Sequence, residues 1–318
     1  LMVVSAPTPL DVSKAPQAIS RYYKVPYQFE KIDPNTVLLW SKAHLFSGIK
    51  MPEKNPFIPD QLKLKATPLL AKFQKKSPVN IATGKKYTVW FLQDQQFNVP
   101  KSSIMVYARS PHVSASVKDA VMAELFVRLL NDHLNAMLYT ASLGGLDFAI
   151  SKRSRGIAFQ LTGYSDKQGL LLKAVLDTFK SPLFTEERFQ LIKTQYAKEL
   201  ENASKQTPYQ QLMQDLPVVL AHGYWSRQSS QQELAAVQLL DVQNYVLEYT
   251  RTISADILVY GNVYEAEALK LTQVIDNSLN LGNQKATDVS VRVVELPPVT
   301  DPFLFVDALD HNDSALVK

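Results

Sequence analysis

The 318 residues carry a formal net charge of +4 at pH 7, 46% apolar and 20% charged side chains, and no cysteine. This is globular composition with chain enough for about two domains of roughly 150 residues; the mild, scattered positive charge argues against a nucleic-acid or anionic-membrane surface. The missing cysteine excludes disulfides, thiol catalysis and iron–sulfur sites, and no apolar run approaches the roughly 18 residues of a membrane span.

The chain opens on "LMVVSAP", a β-branched run that reads as a strand over Met2–Ala6. A chain that starts inside a strand is expected to be part of something longer. Polar, proline-rich turns lead to "ISRYYKVPYQFEKI" (Ile19–Ile32), whose aromatics are either a recognition surface or the packing of a long loop. "MPEKNPFIP" (Met51–Pro59) follows. Proline fixes φ and removes a donor, and the residue before it is pushed to extended geometry, so this stretch is neither helix nor central strand. A stiff connector is expected, with Asn55, Pro56, Phe57, Ile58 and Pro59 as a structural clip and the Phe57–Ile58 pair docked in a groove. A polar stretch without strong periodicity, Ala66–Lys86, reads as a linker and domain boundary.

From Tyr87 the pattern changes. Strands are predicted at Tyr87–Asp94 and Ser102–Pro111, then a long helix over about Ser116–Ser142 with Val117, Val121, Leu125, Leu129, Leu134 and Leu138 on its buried face. Glu124, Arg128, Asn131 and Asn135 fill the other face, and Gly144–Gly145 stops the helix. Two strands, Leu146–Ser151 and Gly156–Tyr164, flank a turn at Arg153–Arg155. Ser165 or Asp166 is expected to cap a helix to about Lys180, and Thr185 another with Phe189, Ile192, Tyr196 and Leu200 as its buried stripe. Pro208 suits the first turn of the next helix, while Pro217 should kink it or end it early. Helices over Gln231–Ala236 and Asp241–Arg251, a strand Ser254–Asn262 and a helix from Tyr264 to about Leu279 complete the unit. Consecutive strands without crossover helices predict an α+β layered sandwich, a largely antiparallel sheet with helices on one face. Three more strands are expected in Val289–Lys318, as the start of another unit.

Chemistry-bearing motifs are sparse. No two of His44, His112, His133, His222 and His311 lie four apart, so no helical face offers a zinc pair. His133 beside Asp132 reads as structural, and "DHND" (Asp310–Asp313) as a turn. Glu186–Glu187 reads as helix capping. There is no Gly-x-Ser-x-Gly elbow, phosphate loop or dinucleotide fingerprint.

"MPEKNPFIP", "VWFLQDQQFNVPKSSI" (Val89–Ile104), "LNAMLYTASLGGLDF" (Leu134–Phe148), "GYSDKQGLLLK" (Gly163–Lys173), "FTEERFQLIKTQY" (Phe184–Tyr196) and "VYGNV" (Val259–Val263) lie in one order along the chain. Together they resemble the middle of the pitrilysin/insulinase family of zinc metallopeptidases. The resemblance implies four repeats of one α+β unit in two halves that close around a chamber. It implies zinc on an inverted His-x-x-Glu-His helix of the first unit, with a distal glutamate. It further implies that residues 1–65 are the tail of the second unit, 66–86 the linker between halves, 87–288 a complete non-catalytic unit, and 289–318 the first strands of the next. No His-x-x-Glu-His occurs in these residues. No catalytic or metal residue is therefore expected here, and no cofactor in the segment itself; zinc would be bound elsewhere in the full-length protein. Implied partners are the remaining units of the same polypeptide and peptide substrates, with no nucleic acid and no membrane span; the compartment implied by analogy is periplasmic. The implied role is chamber wall and hinge of a peptidase; the alternative is a degenerate repeat acting as an interaction scaffold.

Overall fold

The structure is a computed structural model that describes residues 18–27, 31–42, 48, 50, 53–65, 77–94, 96–180, 182–281, 292–295 and 312–316. The chain divides into two compact units, Leu1–Lys54 and Asn55–Lys318. In the first, β1 (Ala18–Ile19) and β2 (Pro26–Tyr27) form a short antiparallel hairpin. Helix α1 (Pro34–Ser41) starts at Asp33, whose carboxylate accepts from the Asn35 amide at 3.1 Å, with Pro34 in the first turn. Tyr22 and Tyr23 are exposed rather than packed, and α1 leaves Val37, Leu38, Leu39 and Trp40 largely open. The strand expected at Met2–Ala6 lies outside the described residues.

The second unit is an α+β sandwich. Its six-stranded sheet comprises β3 (Val79–Thr83), β4 (Tyr87–Gln93), β5 (Lys101–Arg109), β6 (Leu146–Arg153), β7 (Gly156–Tyr164) and β8 (Ser254–Gly261), in spatial order β3-β4-β8-β5-β7-β6. Every neighbouring pair is antiparallel except β4–β8, which runs parallel from Tyr87↔Ala255 to Gln93↔Gly261. Strand β3 lies within the stretch read as linker. Its alternation is broken by an irregularity between Asn80 and Ala82, so its period-2 signal is weak.

Helices α2 (Val117–Leu143), α3 (Gln168–Lys180), α4 (Glu186–Ala203), α5 (Pro208–Leu220), α6 (Arg227–Ala236), α7 (Leu239–Arg251) and α8 (Glu265–Leu279) complete the unit. Their starts follow local chemistry. Ser116 accepts from the Asp119 amide at 3.0 Å, and Thr185 from Arg188 at 3.3 Å. Pro208 occupies the first turn of α5, which passes through Pro217 and ends within a turn, at Leu220. The cap expected before α3 differs: Ser165–Lys167 forms a 3-10 turn that runs into the helix, and the Asp166 carboxylate is used elsewhere. Two of the tail residues, Arg292 and Val294, bond the backbone of His222 and Leu220 at 2.8 Å, while most of the expected tail strands lie outside the described residues.

The core forms where α2 and α3 cover one sheet face. Leu125, Phe126, Leu129 and Leu130 meet Ile104, Val106, Phe159 and Leu161, all at most 1% exposed. Phe179 stands 5.0 Å from Phe159, 5.2 Å from Phe126 and 6.0 Å from Tyr249, ring to ring. Each such side chain contributes about 1.5–3 kcal/mol on burial. The opposite sheet face is different. In register across it run Trp90, Leu258, Met105, Gln160 and Ala149, of which Trp90 and Met105 are 42% and 41% exposed.

Candidate functional site

The proline-bracketed segment is a strap laid along the second unit. Asn55 initiates it: its side-chain oxygen accepts from the Phe57 amide at 2.9 Å, and its amide nitrogen donates to the Thr140 carbonyl at 2.7 Å. Phe57 is 5% exposed and belongs to the core, where its backbone crosses Gly144. A Cβ built on Gly144 would stand 2.8 Å from the Phe57 carbonyl carbon, so glycine is required for this approach. Ile58 is 51% exposed. Of the apolar pair only Phe57 therefore docks, because the two successive side chains of an extended chain point opposite ways.

Downstream, Asp166 accepts from the amides of Asp60 and Gln61 at 2.8 and 3.3 Å, and Lys167 pairs with Asp60. Asn262, 6% exposed, accepts from the Lys65 amide at 2.6 Å and donates to the Lys63 carbonyl at 3.0 Å. Lys65 also pairs with Glu267 at 2.8 Å. The anchors come from the end of α2, the turn before α3 and the end of β8. The "GYSDK" and "VYGNV" stretches thus meet in space along one strap.

A cleft of about 880 Å³ lies at the end of the sheet where β6 turns into β7. Its walls are the first turns of α2, the second halves of α4 and α5, the β6–β7 turn and the stretch at Gly223–Arg227. Met105, Tyr107, Ala158 and Gln160 open it onto the uncovered sheet face. Helix α2 presents Ala120 and Glu124 here, one turn apart. Arg128 binds Glu124 at 2.7 Å and Glu199 of α4 at 2.8 Å, and its guanidinium lies 4.5 Å from the Tyr196 ring centre. Burial opposes the Arg128 charge, but the two carboxylates outweigh it and hold its pKa above the ordinary value. Burial, aided by the Glu124 carboxylate, pushes the Tyr196 phenol up to about 12. Lys152, at the end of β6, is pushed down by burial against the opposing pull of Glu124.

These residues do not fit zinc. The alanine methyl has no lone pair to give, and the charge of Glu124 is already answered by an arginine. Among the described residues no cluster of three or more His, Asp or Glu could hold a metal. The helix face at the cleft carries Ala120 and Glu124; Glu124 and Arg128 stand apart from the buried Val121, Leu125, Leu129 and Leu134, as their spacing indicated. The sequence-flagged residues stay apart: His112 lies 3.7 Å from Asp119, His133 stacks edge-on to Phe184, and Glu186 binds Gln190 of its own helix. His44, Asp310 and His311 lie outside the described residues. Glu124 and Arg128 were readable as an i, i+4 pair; Lys152, Tyr196 and Glu199 join them only through the fold.

Comparison with known proteins gives a consistent result. A family model described as the middle or third domain of peptidase M16 matches residues 1–233. The insulin-degrading enzyme of Drosophila melanogaster is 28% identical over 271 residues, covering 85% of this chain and 27% of that protein. The crystal structure of pitrilysin superimposes with a TM-score of 0.70 at 24% identity, over 86% of this chain and 29% of that one. A peptidase M16 inactive domain from Pseudomonas fluorescens superimposes at 0.53 with 16% identity, over 67% of this chain and 52% of that one. The chain thus spans about a quarter to a third of the length of its long relatives.

Proposed function

Because the chain belongs to the M16 peptidase family, matching its middle or third domain over residues 1–233, we propose that it is the non-catalytic middle segment of a zinc-dependent peptidase, serving as chamber wall and hinge. The observation that carries this is α2. Where a metal-bearing unit needs two neutral imidazoles and a water-activating glutamate, this helix offers Ala120 and a Glu124 tied to Arg128. Zinc belongs to another unit of the full-length protein, which acts on peptides. The likeness to a solved M16 inactive domain supports the same reading.

The wall is the uncovered sheet face, with its in-register row from Trp90 to Ala149 and the cleft opening onto it. The hinge is the stretch that follows the strap at 55–65, which anchors it to this unit. Residues 1–54 are the tail of the preceding unit; the strap and β3, which fall in the expected tail and linker, pack with the unit that runs to 288, the linker between halves lies between them, and 289–318 are the start of the next. The exposed Val37, Leu38, Leu39 and Trp40 of α1 support partners in the rest of the polypeptide, since such an apolar patch calls for a cover.

The test has two arms. The purified chain should hold no stoichiometric zinc by elemental analysis and cleave no peptide; chelator-sensitive turnover by this chain alone overturns the proposal. The full-length protein should cleave peptides in a chelator-sensitive way and keep that activity in a Glu124→Gln variant. A full-length product with neither an inverted zinc motif nor hydrolysis would instead make this an inactive repeat used as a scaffold.

A further inference from the structure

The cleft at the β6–β7 turn has a charge pattern that its fold does not require. Four cations line it, Lys152, Arg153, Arg155 and Arg227, against two carboxylates, Glu124 and Asp215. Glu124 is already matched by Arg128 from the same helix. The lining therefore carries a positive excess. Its volume lies in the range of sites that enclose a short peptide stretch or small ligand, about 300–1,000 Å³.

Its walls are arranged for recognition. The Arg155 guanidinium lies 5.7 Å from the Tyr107 ring centre, and the Tyr107 hydroxyl accepts from the Arg155 amide at 3.1 Å, which fixes the turn. Trp225 is held by its indole N–H on the Ser114 carbonyl at 3.3 Å. Tyr196 is fixed under Arg128. Lys152 is half-buried, and no carboxylate forms an ion pair with it among the described residues. Glu124 acts on this ammonium only through the field, and its carboxylate is already tied to Arg128, so burial of the Lys152 charge is offset further when an anion arrives.

We propose that this cleft is a binding subsite for a peptide carboxylate, with Lys152 as its central contact and Arg153, Arg155 and Arg227 focusing the field around it. The proposal rests on the reading of this unit as part of a peptidase chamber wall. It specifies what that wall grips: an acidic side chain or a free C-terminus of a substrate. The row on the uncovered sheet face leads to it through Met105 and Gln160, so one extended peptide can reach both.

The experiment uses this chain and three N-acetylated hexapeptides of alanine and serine, titrated by calorimetry in the presence of chelator. One has a free C-terminus, one a C-terminal amide, and one an amide with a single internal glutamate. The free acid, the glutamyl peptide or both should bind at least tenfold more tightly than the uncharged amide, and which of them does names the source of the carboxylate. Lys152→Gln should abolish the difference and Lys152→Arg retain it. If Lys152→Gln lowers the melting temperature, Arg227→Gln provides a second reading, with a several-fold loss for the charged peptide alone. Equal binding of all three peptides, binding of none, or discrimination that survives Lys152→Gln overturns the proposal. Mass spectra of the recovered peptides separate the two ideas. A cleaved peptide refutes the non-catalytic reading, whereas intact peptides without discrimination refute only the subsite.

Discussion

Tyr245 and Tyr249 stand one turn apart on α7, with ring centres 5.8 Å apart, and are nearly identical in burial yet opposite in what their hydroxyls do. The Tyr249 hydroxyl donates to the Ala108 carbonyl and accepts from the Ile157 amide at 2.9 Å, so it bridges β5 and β7. The Tyr245 hydroxyl has no hydrogen-bond partner among the described residues. Tyr249→Phe should therefore cost about 2 kcal/mol in urea denaturation, since a buried donor and acceptor are left unmatched. Tyr245→Phe should be neutral or stabilising by up to about 1 kcal/mol, because it removes only an unmet polar group. Equal losses for both would refute the bridging role. Burial pushes both phenols above the ordinary value of 10.0. The unfolded chain then releases these protons first, so stability is full below pH 10 and falls as pH rises through and beyond it. The loss is up to about 1.4 kcal/mol per pH unit for each buried tyrosine. Melting temperatures above pH 10 should fall less steeply in Tyr245→Phe than in the parent chain.

At the scale of elements, the strap was legible in one respect and hidden in another. Proline spacing and the Asn55 turn were plain in the residues; the anchors on Thr140, Asp166 and Asn262 are 85 to 199 positions away. Phe57→Ala should release the strap, since removing a buried Phe costs about 3–5 kcal/mol, and limited proteolysis should then cut within 55–65. Ile58→Ala should leave the digestion pattern unchanged. Gly144→Ala should copy Phe57→Ala, although φ at Gly144 is −85° and suits alanine, because the added methyl meets the Phe57 backbone. Protection equal to the parent chain in both Phe57→Ala and Gly144→Ala would show that the polar anchors hold the strap alone. Helices with a clear cap, such as α2 at Ser116 and α4 at Thr185, were readable to within a residue. Strand β3 was not, because an edge strand with a local irregularity loses the alternation that marks strands.

For the whole molecule, layer order was readable and strand order was not. Antiparallel neighbours joined by a short turn, such as β6 and β7, declare themselves by proximity. The parallel β4–β8 pair joins Tyr87 to Ala255, and nothing local to either strand announces the other. The cleft shares this character. Its cations come from the end of β6, the β6–β7 turn and the start of α6, and only the closed fold gathers them.

Strand β8 sits between β4 and β5, which are consecutive in the chain, so the centre of the sheet stays vacant until the last strand of the unit has been made. On the ribosome, everything from Val79 to Ile253 must wait, with both inner edges bare, for eight more residues to emerge. Closing so distant a pairing is slow and leaves the growing polypeptide open to aggregation. A nascent chain arrested at Ile253 should accordingly remain protease-sensitive and chaperone-bound. Once residues through Leu279 have cleared the exit tunnel, it should become resistant in a single step.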